Sequence, residues 1–319
     1  MKIAVWGLGN HALKNIIPAL ERSKNLKLYG VFSRNIDTVD KCCDEFDCIT
    51  WESEEEMFSD DNLDVIYSAT PPALRYYQAK KTLYSKKHFW AEKPLLMNLK
   101  QTEEIIKISK EENLTICEGF MFLYHPQYKW IKNYLQKYDA SQINSVNINF
   151  TIPKSENESY RYNKNLGGSA FFDIGIYLIK VIDDLFLDKE IKIEHSRVTK
   201  DKTSGIDLKG NLVLSLLSGP NFYLTWGMEL PYRNEIDIMT FENSIFSERI
   251  FSKKEDFDAQ IFKRDIHGDK KLIKIGKSNH FLEMFDDFYE ATLSEEKAED
   301  HRNSIISLHS LAEKIYSQI

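Results

Sequence analysis

The sequence predicts a two-domain chain: an α/β doubly wound parallel sheet over residues 1–121, then an α+β domain over 122–319 built on a large, mostly antiparallel sheet. Three observations carry this. At 319 residues the chain exceeds what one ordinary core supports. Its first part alternates short apolar runs with helical patterns, as a parallel sheet requires. Its later part carries long period-two runs, the mark of strands covered on one side.

Composition narrows the function. With 42% apolar and 29% charged residues it is an ordinary globular composition. Its 42 basic residues against 49 acidic leave a net charge of −7, which argues against nucleic acid or an anionic membrane as the main partner. No apolar run approaches the roughly 20 residues of a membrane span. Met1–Gly7 reads as a strand and not as a signal sequence, so a cytoplasmic location is expected. Cys42, Cys43, Cys48 and Cys117 form no CxxC pair and are expected to be reduced. The histidines show no HExxH or paired ligand spacing, so no metal is expected.

In chain order, Lys2–Gly7 is an apolar strand, and Gly7-Leu8-Gly9-Asn10-His11-Ala12 follows it into a helical pattern at Ile16, Ile17 and Leu20. A GxGxxA between strand and helix is a dinucleotide fingerprint. Gly7 permits the tight turn, Gly9 lets a pyrophosphate approach the backbone, and Ala12 allows close helix–strand packing, with the helix N-terminus favouring phosphate. Asn10 and His11 belong to the same cofactor turn. The second strand, 26–32, ends in Ser33-Arg34. An acidic residue there would hold a ribose 2′-hydroxyl; a hydroxyl and a guanidinium favour a 2′-phosphate, hence NADP(H) over NAD(H). A helix near 38–46 and an acidic, solvated segment at 52–61 come next. The strand 64–69 ends in Thr70-Pro71-Pro72, whose extended exit starts the helix 73–84 and passes the nicotinamide side of a bound cofactor. The strand 88–91 delivers Glu92-Lys93-Pro94 to the carboxyl edge of the sheet, where ligands bind in open α/β folds. A charged helix at 100–113 and a strand at 114–119 close this half.

Beyond Met121 the pattern changes. His125-Pro126-Gln127 starts a helix to about Tyr138. Val146, Ile148, Phe150 and Ile152 share one strand face. So do Leu208, Gly210, Leu212, Leu214 and Leu216, and, after a turn at 218–221, Phe222, Leu224, Trp226, Met228 and Leu230. Further short strands fall between Glu235 and Ile275, and two helices, 281–293 and about 300–316, end the chain. Between the strands lies Tyr160-Arg161-Tyr162, then Gly167-Gly168-Ser169-Ala170-Phe171-Phe172-Asp173-Ile174-Gly175-Ile176-Tyr177. Asp173 and Tyr177 are four apart and project from one helical face. Gly175 costs about 1 kcal/mol in a helix interior relative to Ala, which a closely approaching ligand or backbone would explain. The plainer alternative makes Asp173 a first-turn dipole partner and Tyr177 a core aromatic.

An N-terminal GxGxxA, a mid-chain Glu92-Lys93-Pro94 and a later Gly167-Gly168…Asp173-x-Gly175-x-Tyr177, in this order, resemble the glucose–fructose oxidoreductase/inositol dehydrogenase (Gfo/Idh/MocA) family over essentially the whole chain. The resemblance implies an NAD(P)-binding Rossmann domain and a second domain whose sheet lines the substrate cleft and forms the interface of a homodimer or homotetramer. It implies that Lys93 lies at the active site near the nicotinamide, with Glu92 beside the cofactor, and that Asp173 and Tyr177 contact substrate. Many members carry His at the last position; Tyr177 places this chain nearer the dihydrodiol dehydrogenase and nucleotide-sugar ketoreductase branches, where tyrosine is the proposed proton donor. Arg161 matches an arginine often found before the glycine pair, and Tyr124 belongs to the Phe-His-Pro-like element. Three positions depart from the pattern: Leu123 where relatives often have Arg, Arg75 where they often have His, and Ser169 in place of a third glycine. The first two leave the substrate open.

The expected reaction moves a hydride between nicotinamide and a carbonyl or hydroxyl carbon of a sugar, nucleotide sugar or related polyol. Tyr177 is the proton donor or acceptor, Lys93 stabilises phenolate or the developing alkoxide, and Asp173 orients substrate or the lysine. Two alternatives stay open at this level. Aromatic crowding at Phe122, Tyr124, Tyr160, Tyr162, Phe171 and Phe172 would suit a non-sugar substrate such as a trans-dihydrodiol or imine. A silent nucleotide sensor or scaffold is the third reading.

Overall fold

The computed structural model describes residues 1–155, 159–186 and 190–319. They group into two compact units, 1–120 with 281–309, and 121–280 with 310–319.

The first unit is built on five parallel strands: β1 (Lys2–Trp6), β2 (Lys27–Phe32), β3 (Val65–Ser68), β4 (His88–Glu92) and β5 (Ile116–Gly119), in the order β2-β1-β3-β4-β5. The order reverses between β1 and β3, so the turn after β1 and the exit from β3 flank the switch point where α/β folds bind ligands. Because every strand points the same way, Gly7, Ser33, Ala69-Thr70 and Lys93 all leave the sheet at its carboxyl edge. β1, β3 and β4 are almost wholly buried, which is why they read as continuous apolar runs. Trp90 on β4 packs against Tyr67 of β3, and against Phe285 and Phe288 at centroid distances of 5.2 and 4.7 Å.

That last contact changes the domain division. The sequence suggested a second domain covering all of 122–319. Residues 281–309 instead group with the first unit. The helix His280–Leu293 lays Phe285 and Phe288 on Trp90, and Ile305 of the helix Glu295–Tyr316 joins the core of Phe89, Leu95 and Ile105.

The second unit holds eight strands: β6 (Ile143–Thr151), β7 (Ile191–Lys200), β8 (Asp207–Leu216), β9 (Asn221–Gly227), β10 (Arg233–Thr240), β11 (Asn243–Glu248), β12 (Ala259–Asp265) and β13 (Lys270–Gly276), in the order β13-β12-β11-β10-β6-β9-β8-β7. β6 and β9 are parallel, and every other neighbouring pair is antiparallel. Register aligns Leu212, Leu224, Ile148 and Ile236 across four strands on the buried face. The next line is Gly210, Trp226, Phe150 and Asn234.

Trp226 corrects the reading of Gly175. A Cβ at Gly175 would lie 3.2 Å from the Trp226 ring, and one at Gly210 would lie 2.2 Å from it. The buried indole therefore explains both glycines, and no ligand is needed at Gly175. The sequence also gave no sign of β7, an edge strand whose exposed residues show no apolar period.

Candidate active site

In the first unit the fingerprint turn has the shape its glycines require. Gly7 adopts φ +101, where a side chain would be strained, and its amide donates to Phe32 O at 2.8 Å. A Cβ on Gly9 would meet no atom within 4 Å. This open cradle stands at the start of a helical segment over residues 10–20, π-type at Ala12–Ile16. Backbone amides and the helix dipole there suit a diphosphate, so these residues fit a dinucleotide. Asn10 is exposed at the turn, and Ala12 is buried beneath it. At the end of β2, Ser33 is half-buried and Arg34 is exposed, without a hydrogen bond or ion pair among the described residues.

The Glu92-Lys93-Pro94 loop is tied into this edge from below. The Lys93–Pro94 peptide is cis. The Glu92 carboxylate sits 3.0 Å from His11 Nε2 and accepts from the Tyr67 hydroxyl. Burial alone would raise this carboxyl, but His11, Tyr67 and the Lys93 charge outweigh it and bring it down to about 2. His11 also lies 3.2 Å from Asn15 Nδ2 through Nδ1, so its side chain links the fingerprint helix to the Glu92 loop.

Arg75 is buried, and it departs most from what the sequence suggested. Its Nε and Nη2 donate to Thr70 O at 2.9 and 2.6 Å, and its Nη1 donates to Glu92 O and Pro94 O. One planar guanidinium thus joins the Thr70-Pro71 exit to the Lys93 loop. Arg75, at the position where the family resemblance led to an expected His, holds the geometry of these two loops. The Thr70 hydroxyl is within 2.7 Å of Gln78 Oε1, and Leu95 N donates to Glu118 Oε1 at 2.6 Å, completing the support. The sequence held no local signal for this clamp, because its acceptors are backbone carbonyls distant in the chain.

In the second unit a helical segment runs from 170 to 186, π-type over Phe171–Gly175. Asp207 Oδ2 and Ser169 Oγ accept from Phe171 N and Phe172 N at its start, at 2.6 and 3.2 Å. Asp173, in the first turn, accepts from Arg161 Nε at 2.5 Å and from the Tyr160 hydroxyl at 3.3 Å. Tyr177 follows one turn later. Its ring packs among Phe122, Phe150 and Phe251, and its hydroxyl lies 3.8 Å from Met121 Sδ. Tyr124 and Leu123 are half-buried in the turn Met121–Tyr124. His125 caps the following helix, Pro126–Leu135, by accepting from Gln127 N at 3.0 Å.

The structure thus gathers the sequence candidates into two sets: Gly7, Gly9, His11, Thr70, Glu92 and Lys93 in the first unit, and Arg161, Asp173 and Tyr177 in the second. The aromatic cluster divides. Phe122 is core, and Phe171 and Phe172 pack on Tyr316. Among the described residues no group of three or more His, Cys, Asp or Glu is placed to hold a metal, and no helix is long and apolar enough to cross a membrane.

Residues 1–120 match the model of an oxidoreductase family with an NAD-binding Rossmann fold. Over 316 residues the chain is 25% identical to a dTDP-3,4-didehydro-2,6-dideoxy-alpha-D-glucose 3-reductase of Actinomadura kijaniata, covering 99% of this chain and 94% of that one. An enzyme of the same name from Streptomyces violaceoruber is 26% identical over 253 residues, 79% of this chain and 74% of its own. Among solved structures, a 3-ketoreductase from Actinomadura kijaniata in complex with NADP and TDP-benzene has a TM-score of 0.91 at 25% identity, over 98% of this chain and 96% of that one.

Proposed function

We propose that this chain, whose residues 1–120 match the Gfo/Idh/MocA oxidoreductase family model, is a member of that family and an NADP(H)-dependent reductase of a keto group on a sugar or nucleotide sugar. The observation that carries the reading is its near full-length similarity to a dTDP-sugar 3-reductase in a chain that carries Lys93, Asp173 and Tyr177 in the motifs described above. Gly7, Gly9, Asn10 and Ala12 would hold the diphosphate, Ser33 and the exposed Arg34 the 2′-phosphate, and Thr70, Pro71, Glu92 and Lys93 the nicotinamide end.

The bound cofactor supplies the hydride. The chain's own residues handle the oxygen. As the carbonyl carbon gains its new C–H bond, negative charge develops on the oxygen, and the Tyr177 hydroxyl donates its proton there. The Lys93 ammonium stabilises the same developing charge. Asp173, Arg161 and Tyr124 contact the substrate's hydroxyls. Core placement of Phe122, Phe171 and Phe172 removes much of the aromatic surface a dihydrodiol substrate would have used.

Parallel fluorescence titrations with NADPH and NADH test the cofactor, and tighter NADH binding would overturn the Ser33-Arg34 argument. Against a panel of keto sugars and dTDP-keto sugars, Tyr177→Phe is expected to lower turnover by about 10²- to 10⁴-fold, the usual worth of a general acid, with NADPH affinity unchanged. Equal turnover would remove Tyr177 from the acid role, and normal activity in Lys93→Met would sink the wider mechanism.

A homo-oligomer formed through the second unit's sheet belongs to the same reading. Register runs Val213, Tyr223, Asn147, Asp237, Phe246, Phe262 and Leu272 in one line across its outer face, and Tyr223, Phe262 and Leu272 are 43–45% exposed. Sedimentation of wild type and Phe262→Lys tests it; a monomeric wild type would refute it. A cytoplasmic location accords with four free thiols.

A further inference from the structure

Arg161 is held in place more firmly than a residue that only meets substrate requires. It lies in the 3-10 turn Tyr160–Tyr162. The chain then folds back on itself: Gly168 N donates to Asn163 O at 2.9 Å, Gly167 adopts φ +85, and a Cβ at Gly168 would stand 2.4 Å from Arg161 O. The glycine pair is therefore the means by which the Arg161 backbone is pressed against the start of the Asp173 helix. From there the guanidinium reaches Asp173 Oδ2 at 2.5 Å and packs over the Tyr160 ring with 5.2 Å from Cζ to the centroid. Asp173 is buried, 7% exposed.

This geometry matters for the residue one turn on. A phenol that gives up its proton among Phe122, Phe150 and Phe251 becomes a phenolate that burial disfavours. A carboxylate on the same helical face disfavours it further. At the roughly 6 Å that separates side chains one helical turn apart, and at an effective dielectric of about 20, one unit charge shifts an ionisation constant by about a hundredfold. An uncompensated Asp173 would make Tyr177 a far poorer acid. Arg161 cancels that charge. The Arg161 guanidinium is itself held firmly in its charged form, chiefly by Asp173 against the opposing effect of burial, with Tyr160 and Tyr177 adding to it.

The segments packed against Tyr177 within this unit carry further titratable groups. The segment with Met121 and Phe122 carries His125, which burial, then Lys253 and Lys129, lower to about 3, so it is neutral. The segment with Phe251 carries Lys253, which donates to Ile250 O and which burial lowers to about 7. Strand β6 brings Phe150, flanked by the uncharged Asn149 and Thr151. Farther along Tyr177's own helix, Lys180 and Asp183 pair with each other at 2.8 Å.

We propose that Arg161 is the positioning residue for Tyr177: by neutralising and fixing Asp173, it lets negative charge develop on the phenol oxygen during proton donation. The proposal rests on the reading of Tyr177 as proton donor, and its test needs no turnover. Protein labelled with ζ-¹³C tyrosine is titrated by NMR, with the Tyr177 resonance identified by its absence in Tyr177→Phe. Arg161→Gln should raise the Tyr177 midpoint by at least about one pH unit, a tenfold loss of acidity. Arg161→Lys should recover part of that shift, and Arg161→Gln/Asp173→Asn should return it close to wild type. Lys93→Met, titrated alongside, measures that cation's separate effect. If Arg161→Gln does not fold, Asp173→Asn carries the test, because it leaves Arg161 uncompensated and should lower the midpoint. An unmoved midpoint in Arg161→Gln, or in Asp173→Asn, would overturn the proposal, and so would a double variant no closer to wild type than Arg161→Gln. A shifted midpoint in a protein that reduces no carbonyl would keep the Arg161 assignment and refute the reductase reading.

Discussion

Arg75→Met removes a buried guanidinium that serves three backbone carbonyls at once, those of Thr70, Glu92 and Pro94. Methionine fills much of the volume and restores none of the donors. Each buried carbonyl left without a partner costs about 1–3 kcal/mol. Allowing for local relaxation and water entry, the loss should be on the order of 3–6 kcal/mol. The damage is local to function, because two of the three acceptors flank Lys93. Denaturant unfolding in the absence of cofactor measures the stability term, and NADPH titration with turnover measures displacement of the loop. Arg75→Lys separates charge from shape: one ammonium cannot span three carbonyls as a planar fork does, so it should recover less than half of the stability. An Arg75→Met variant within about 1 kcal/mol of wild type, with unchanged NADPH affinity, would show that the clamp does not hold this edge together.

Gly9 and Lys253 give two further measurable outcomes. Gly9→Ala should fold normally, since its Cβ would meet nothing within 4 Å, yet bind NADPH at least about tenfold more weakly by intruding on the diphosphate; equal affinity would show that the diphosphate lies elsewhere. Lys253 titrates near 7 in the folded chain against an ordinary 10.5, so between those values the unfolded chain binds the extra proton and stability rises with pH. Lys253→Met should therefore stabilise the protein at pH 7, by on the order of 4 kcal/mol at most, and flatten the rise toward pH 10; thermal unfolding across that range checks both, and a destabilised variant at pH 7 would refute the assignment.

Much of this was legible in the sequence wherever a physical pattern is local. The strand–GxGxxA–helix succession states its own backbone geometry. The period-two runs at 146–152, 208–216 and 222–230 identify a buried face without a partner strand, because pleating alone alternates the side chains. The strands themselves end at Thr151, Leu216 and Gly227, so Ile152, Met228 and Leu230 lie past them. The four-residue spacing of Asp173 and Tyr177 places them together on any helix. Strand β7 was hidden because an exposed edge strand needs no apolar period.

Other features were decided only by tertiary structure, because their causes lie far apart along the chain. Gly175 and Gly210 are small for one shared reason, the Trp226 indole packed against both. The segment 281–309 returns to the first unit because Trp90 offers Phe285 and Phe288 a surface that no spacing reveals. Arg75 reads as an ordinary helical arginine until the carbonyls of Thr70, Glu92 and Pro94 converge on it. By itself the sequence determined the periods, the turns and the candidate chemistry, which depend on neighbouring residues. Packing determined which of those residues carry one another, since buried charge and close contact are properties of the folded chain alone.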